Sequence, residues 1–244
     1  ININKLMSFH KSINELKIGI AVSTYSTNKT ENKRFDIIRK SLKTLNEYLK
    51  NTNLNIYVVI VVDGNVPKKH KELLNEFNFN IYFRKENGGV SKTKNTSIRL
   101  LLEQNIDIGF LADDDVLYKN KFMEMYLDVI LKCKIHHISY VQMHPIVHPK
   151  EEWKKMGYIK TKINNVDIMK HKGHGVGCWL SFTPELIKKI GYFKVLDGKY
   201  GFEHINFTIR CVENKIIEHP CDIVNSLEYM DHIGFEPIGY NLIK

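Results

Sequence analysis

Residues 106–116 read Ile106-Asp107-Ile108-Gly109-Phe110-Leu111-Ala112-Asp113-Asp114-Asp115-Val116, or IDIGFLADDDV. The apolar run from Ile106 to Ala112 predicts a buried strand, and three adjacent carboxylates follow it. Like charges this close repel, more strongly where the local dielectric is low. The surrounding chain is basic, with a formal net charge of +9. Negative charge concentrated at a strand end needs compensation, and a hard divalent cation supplies it. Mg2+ or Mn2+ prefers oxygen ligands, takes one or two carboxylates and shares the phosphates of a substrate. The plainer alternative is an aspartate-rich turn or helix start, since Asp caps helices and favours the positive end of the helix dipole.

Working outward toward the N-terminus, the same grammar repeats. Lys17 to Thr24 (KIGIAVST) predicts a buried strand that runs into Tyr25-Ser26-Thr27-Asn28. A helix follows, because Phe35, Ile38, Leu42, Leu45 and Leu49 recur at three- and four-residue steps with charged residues between them. Ile56 to Val62 (IYVVIVV) is a second strand ending at Asp63-Gly64-Asn65. Pro67 suits the first turn of a short helix reaching Phe77. Phe79 to Phe83 is a third strand, and Asn87-Gly88-Gly89 is a loop signal. Ser91 is positioned to cap a helix whose apolar face includes Ile98, Leu101 and Leu102. Strands alternating with helices argue for an α/β unit with a mainly parallel sheet. Ligands of such sheets bind beyond the carboxyl ends of the strands. That rule gathers Ser23, Tyr25, Asp63 and Asp113 to Asp115 at one mouth.

Beyond the triplet the pattern is less regular. Phe122 to Leu131 predicts a helix and Ile138 to Met143 a strand. The His- and Lys-rich region from His144 to Gly175 predicts long loops. Within it His171 and His174 flank Gly173, in a segment suited to covering a ligand. Val176 to Phe182 (VGCWLSF) predicts a strand, Thr183-Pro184-Glu185 starts a helix over Leu186 to Ile190, and Phe202 to Val212 is a further helix opening on Glu203-His204. With no repeat or low-complexity linker, residues 1–244 read as one continuous domain.

Composition narrows the class. The chain has 244 residues, 43% of them apolar and 26% charged, enough for a soluble globular core. Its longest aliphatic and aromatic run, residues 56–62, is too short to span a bilayer. The polar start carries no signal-peptide pattern, which points to the cytoplasm, with the cytoplasmic face of a membrane included. The first residue is Ile, which fits a segment of a longer polypeptide with further domains. Cys133, Cys178, Cys211 and Cys221 form no CxxC pair, and reduced thiols are the expectation. The basic balance suits phosphate-rich ligands, anionic surfaces or nucleic acid.

The ordered set VSTYS, VVDGN, ENGGVSKTKNTSI and FLADDDV resembles the motifs of GT-A-fold glycosyltransferases, most of all those of family 2. Downstream, GHGVGCWLSFTPELIKKIGYF and GKYGFEHINFTIR are similar to the acceptor-side region of galactosyl- and N-acetylgalactosaminyl-transferases of that class. The resemblance spans about residues 17 to 213. It implies a Rossmann-like nucleotide-binding half with a mixed central sheet (about 17–116), continuous with an acceptor-binding and catalytic half (about 117–244). It also implies a nucleotide-diphosphate sugar donor, UDP-linked first among them, a saccharide or glycoconjugate acceptor, and inversion at the transferred carbon.

Carried over position by position, the resemblance assigns Ser23 and Tyr25 to the base and Asp63 to the nucleoside. Lys94 stands where the family usually has Arg, near the diphosphate, with Asn95 beside it. A core role for Tyr25 and a solvated helix face for Lys94 are the plain alternatives. Asp113 and Asp115 match the outer positions of the family's DXD, with Asp113 on ribose or metal and Asp115 on metal. Ala112 leaves a second register open, in which Asp114 is the ligand. Glu203-His204 replaces the family's Glu-Asp, whose Asp is the general base. Glu203 is slightly preferred as the base here, with His204 as the alternative, since a neutral imidazole also accepts a proton near pH 7. His232 fits a downstream metal ligand, and imidazole suits Mn2+ better than Mg2+. Trp179 suits a sugar face or a core equally. Two other classes compete. A nucleotidyl- or phospho-transferase would want a phosphate loop, and no GxxxxGK[ST] is present. A basic nucleic-acid-binding module would interleave aromatics with the lysines on one surface, and the lysines are instead spread along helices; no nucleic acid is expected.

Overall fold

The computed structural model describes residues 11–140, 159–170, 178–195, 203–218, 221–223 and 226–233. In its first half β1 (Lys17–Thr24), α1 (Asn32–Asn51), β2 (Asn55–Val62), α2 (Lys68–Leu74), β3 (Asn80–Phe83), α3 (Gly89–Glu103) and β4 (Ile108–Asp113) alternate without interruption. Then come β5 (Val116–Tyr118), α4 (Phe122–Cys133), the strands β6 (Ile159–Ile163), β7 (Val166–Lys170) and β8 (Trp179–Phe182), and the helices α5 (Pro184–Ile190) and α6 (Glu203–Glu213). β9 (Cys221–Ile223), a single helical turn α7 (Ser226–Tyr229) and β10 (Met230–His232) complete the described chain.

The main sheet has the order β3-β2-β1-β4-β8. Its first four strands are parallel, and β8 joins β4 antiparallel, so the sheet is mixed. β1, β2 and β4 are buried over most of their length. Burial on both faces explains why they read as continuous aliphatic runs rather than as alternation. α1 covers the sheet with Phe35, Ile38, Leu42 and Leu45, a stripe that follows directly from the helical period. At Gly109 a Cβ would come within 2.2 Å of the Phe182 ring, the cross-strand neighbour on β8. Only glycine lets these two strands pack so closely.

Trp179 is fully buried, with 0% exposure. Its ring stacks on Phe110 at 4.8 Å and meets Tyr118, Phe122 and Tyr126 edge-on or tilted at 5.5–5.8 Å. The sugar-stacking role is thereby corrected: this ring is the centre of the core behind the triplet.

Several local expectations shift as well. Ser91 does not cap α3, because the helix already starts at Gly89 after Gly88. Pro67 immediately precedes α2, which ends at Leu74, and the residues to Phe77 close as i to i+3 turns. The region read as loops contains the hairpin β6–β7, turned by Asn164 and Asn165 at φ 48° and 66°. Asn tolerates that left-handed region best among non-glycine residues. β9 extends the hairpin to three strands. Around Ser139 the described chain makes one isolated bridge to Leu180 rather than a strand. The segments 141–158, 171–177 and 196–202 lie outside the described residues, and with them His171, Gly173, His174 and most of the GHGVG stretch. No described helix is long and apolar enough to cross a membrane.

Candidate active site

The carboxyl ends of β1, β2 and β4 open onto a cavity of about 490 Å3. Ser23, Tyr25, Asp63, Asp113, Asp114 and Asp115 line it, and Glu203 and His204 reach it from α6. The mouth expected from strand alternation is therefore present, with the α6 pair facing it. Tyr25 is 41% exposed, so it is not a core aromatic. The hydroxyl of Ser23 is buried without a hydrogen-bond partner.

The three aspartates are held in three different ways. Asp113 ends β4, with its amide donating to the Cys178 carbonyl at 2.9 Å, and accepts from Lys94 Nζ at 2.9 Å. Lys94 has no exposed surface at all, so it neither lies on a solvated face nor forms part of the cavity wall. A wholly buried ammonium demands a charged or well-bonded partner, and Asp113 supplies one. Asp114 is only 2% exposed; one oxygen accepts from Thr24 and the other from Arg34. Burial pushes its pKa up to about 6, against the pull of the guanidinium. Asp115 meets Arg34 Nη1 at 3.4 Å, and its other oxygen lies 3.2 Å from His232 Nε2. Burial also works to raise Asp115, but His232 and Arg34 together leave it below the usual carboxylate value. His232 is held above the usual imidazole value despite burial, because Asp115 faces it. The antiparallel ladder of β10 on β5 brings it there, pairing His232 with Val116.

Beneath Asp114 a polar chain runs into the core. Thr24 Oγ1 lies 3.1 Å from His70 Nε2, and His70 Nδ1 lies 2.5 Å from Ser26 Oγ. Burial, with Arg34 nearby, lowers His70 to about 4, so the ring is neutral at pH 7. A single pattern of donors satisfies the chain: Ser26 donates to Nδ1, Nε2–H donates to Thr24, and Thr24 donates to Asp114.

Asp63 is a structural cap as well as a wall residue. Its two oxygens accept from the Gly88 and Gly89 amides at 3.0 and 2.9 Å, and Arg84 pairs with the first of them. Gly89 adopts φ 79°, a conformation that glycine reaches without strain. An anion at these amides also suits the positive end of α3. Asn95 uses both ends of its amide on the Phe193 backbone, at 2.9 Å each, and so ties α3 to the chain that leads to α6. It lies off the cavity wall.

The α6 pair is buried to a degree similar to Asp114 and Asp115. His204 Nε2 donates to Glu203 Oε1 at 3.0 Å, while its Nδ1 is buried with no partner. Phe193 meets the imidazole edge-on at 5.8 Å and stacks on Phe207 at 4.3 Å. Burial and the Lys94 charge lower His204 from the usual 6.5. Burial of Glu203 would raise its carboxyl, but the His204 contact outweighs it and the net shift is downward. The resting pair is thus a carboxylate beside a neutral imidazole whose free lone pair is on Nδ1.

Asp115 and His232 provide an oxygen and a nitrogen close together, and that Asp115 oxygen is buried without an aligned hydrogen-bond donor. No cluster of three or more His, Cys, Asp or Glu residues with metal-binding geometry occurs among the described residues. The donor set fits a divalent cation that takes its remaining ligands from a phosphate substrate and water.

No motif in the sequence singles out Arg34 or Arg84. Arg84 directly follows β3, where the strand-end rule would have found it. Arg34 is one of several Lys and Arg residues between 29 and 40, and nothing local separates it from them.

A four-stranded parallel run closed by an antiparallel strand, with an acidic mouth faced by two residues of one helix, is the architecture of the GT-A glycosyltransferases. Residues 28–191 match the family model for glycosyl transferase family 2. The chain belongs to that family and is a glycosyltransferase. It is 44% identical over 218 residues to an Acanthamoeba polyphaga mimivirus protein described as uncharacterized glycosyltransferase R363, covering 88% of this chain and 80% of that one. The solved mannosyltransferase PcManGT from Pyrobaculum calidifontis, in complex with GDP-Man and Mn2+, matches with a TM-score of 0.59 at 13% identity, over 91% of this chain and 60% of its own. S. aureus TarS 1-349 in complex with UDP-GlcNAc matches with a TM-score of 0.56 at 16% identity, over 91% of this chain and 61% of its own. The chain therefore spans about three fifths of the length of these two solved proteins.

Proposed function

We propose that this chain is a metal-dependent, inverting transferase that moves a hexose or N-acetylhexosamine from a nucleotide-diphosphate sugar to a glycan hydroxyl. UDP is the preferred nucleotide. Both halves of the chain serve a single catalytic unit. One observation carries the reading: a cation-laced carboxylate triplet and a Glu–His pair face the same cavity.

Asp115 and His232 would hold the cation. Bound there, it would neutralise charge growing on the departing diphosphate. Tyr25 offers a ring face to the base, and the unpartnered Ser23 hydroxyl offers a hydrogen bond to the nucleoside. Asp63 shapes the nucleoside wall while capping α3, and Lys94 acts through Asp113. The acceptor proton goes to His204 Nδ1, the lone pair that nothing in the protein uses. Glu203 fixes the opposite tautomer and stabilises the imidazolium as it forms. That unpartnered lone pair is the reason to take His204 rather than Glu203 as the base. Loss of its proton-accepting form below pH 6.5 gives the acid limb of the rate profile.

A thermal-shift screen of UDP and GDP, each with Mn2+, Mg2+ or a chelator, tests the donor side. A rise in melting temperature is expected for UDP with Mn2+, with loss of that rise in Asp115→Ala. The absence of a metal-dependent shift with every nucleoside diphosphate would overturn the reading.

A further inference from the structure

Arg34 bridges two of the three aspartates from outside their own segment, and its two ends are held unequally. Its Nη2 pairs with Asp114, a carboxylate that is almost completely buried. That carboxylate is fixed from behind by Thr24, His70 and Ser26. Its Nη1 reaches Asp115 at 3.4 Å, beyond the usual range of a good hydrogen bond. The Asp115 carboxylate is the same one that faces His232. Arg34 also lines the donor cavity. The start of α1 that carries it is fixed by Phe35, whose ring meets His70 edge-on at 6.0 Å.

We infer that Arg34 is a cation-exchange hinge. It remains anchored on Asp114, yields its Asp115 contact to an incoming divalent cation, and turns the released edge of the guanidinium toward the donor diphosphate. The inference rests on the proposed metal-dependent use of this cavity and adds to it an order of events. A divalent cation at Asp115 Oδ1 and His232 meets a carboxylate whose other oxygen, Oδ2, already faces the positive guanidinium, so alone it binds weakly. A nucleoside diphosphate gives the displaced guanidinium a new anionic partner, so cation and nucleotide bind together. A planar fork suits this exchange, since it can keep one carboxylate while changing the partner on its other edge. On this view Asp114 is a positioning residue: both of its oxygens are engaged within the protein, and it acts through Arg34.

The test is calorimetric titration of Mn2+ into the full chain, without and with saturating UDP, for the wild type, Arg34→Gln and Arg34→Lys. Coupling between two ligands is reciprocal and is read as the ratio of the two Mn2+ affinities. For Arg34→Gln, Mn2+ alone should bind about tenfold tighter and the UDP-induced gain should shrink by about tenfold or more. Arg34→Lys keeps the charge but not the fork and should fall between the two. Because Arg34→Gln strands the buried Asp114 carboxylate, the paired change Arg34→Gln/Asp114→Asn is titrated beside it and should show the same loss of coupling. If Mn2+ alone binds either variant no tighter than wild type, or the coupling is unchanged, the hinge is overturned while the donor reading stands. If wild type binds Mn2+ neither alone nor with UDP, the proposed function fails and the hinge fails with it.

Discussion

The carboxylate triplet and the Glu203–His204 pair face one cavity, yet the first pairs directly with cations and the second is an internally bonded carboxylate–imidazole couple set against Phe193. Arg34, Lys94 and His232 each take an aspartate partner. The pair meets Phe193 and, apart from its internal hydrogen bond, leaves Nδ1 unpartnered. A cluster whose negative charge is already balanced by movable side chains can exchange those partners for a cation and a diphosphate. A neutral imidazole beside one carboxylate is suited to receiving a proton. In the proposed mechanism the difference separates the two jobs that transfer needs: stabilising the leaving group and activating the acceptor.

Both clusters nevertheless stand on buried neutral histidines, and acid tests that shared foundation with the largest expected effect. His70 lies under the triplet. His137 bonds Ser181 and Thr208 beside the pair, and His136 bonds Thr183 nearby. Burial lowers each of the three to about 4. Between the ordinary 6.5 and that value the unfolded chain takes up protons that the native imidazoles refuse, so stability falls as pH falls. Each tenfold in proton affinity is worth about 1.4 kcal/mol, so together the three threaten much of the ~5–15 kcal/mol that holds a domain folded. Thermal melts from pH 7.5 to 4.5 should show a steep decline over that window. A flat profile would mean that these rings are not held neutral.

The next effect separates the clusters. His204→Ala should lower transfer by about 10²- to 10⁴-fold while leaving the UDP/Mn2+ thermal shift intact. Glu203→Gln keeps an acceptor for Nε2–H but loses the charge, so a smaller loss is expected, about tenfold. If Glu203→Gln proves the more damaging of the two, Glu203 is the base. The smallest effect is at Tyr25. Stacking of a base on an aromatic ring is worth about 1–3 kcal/mol, so Tyr25→Ala should raise the donor KM about tenfold with kcat nearly unchanged, as steady-state kinetics would show.

The parts readable in the sequence were those governed by local rules. The four parallel strands and α1 follow from aliphatic runs and a helical stripe, and the strand-end rule collected Asp63 and the triplet. Contacts made across the chain were not readable. Arg34 resembles its basic neighbours until folding brings α1 over residues 114 and 115. Trp179 in a short strand gives no sign of which face it will turn. The β6–β7 hairpin did leave a trace in Asn164-Asn165 between alternating residues, which the abundance of Lys and His obscured. Lys94 shows the limit most plainly: nothing in its neighbours announces a wholly buried ammonium.

The β5–β10 ladder also sets a clock. Asp115 and His232 are separated by about 120 residues, and a ribosome adding roughly 5–20 residues per second needs on the order of ten seconds to go from one to the other. Throughout that interval the nascent chain carries its aspartates, Arg34 and Lys94 without His232, the last member of the proposed cation site. A half-made chain therefore cannot bring His232 to Asp115, and that pairing forms only once synthesis has passed β10.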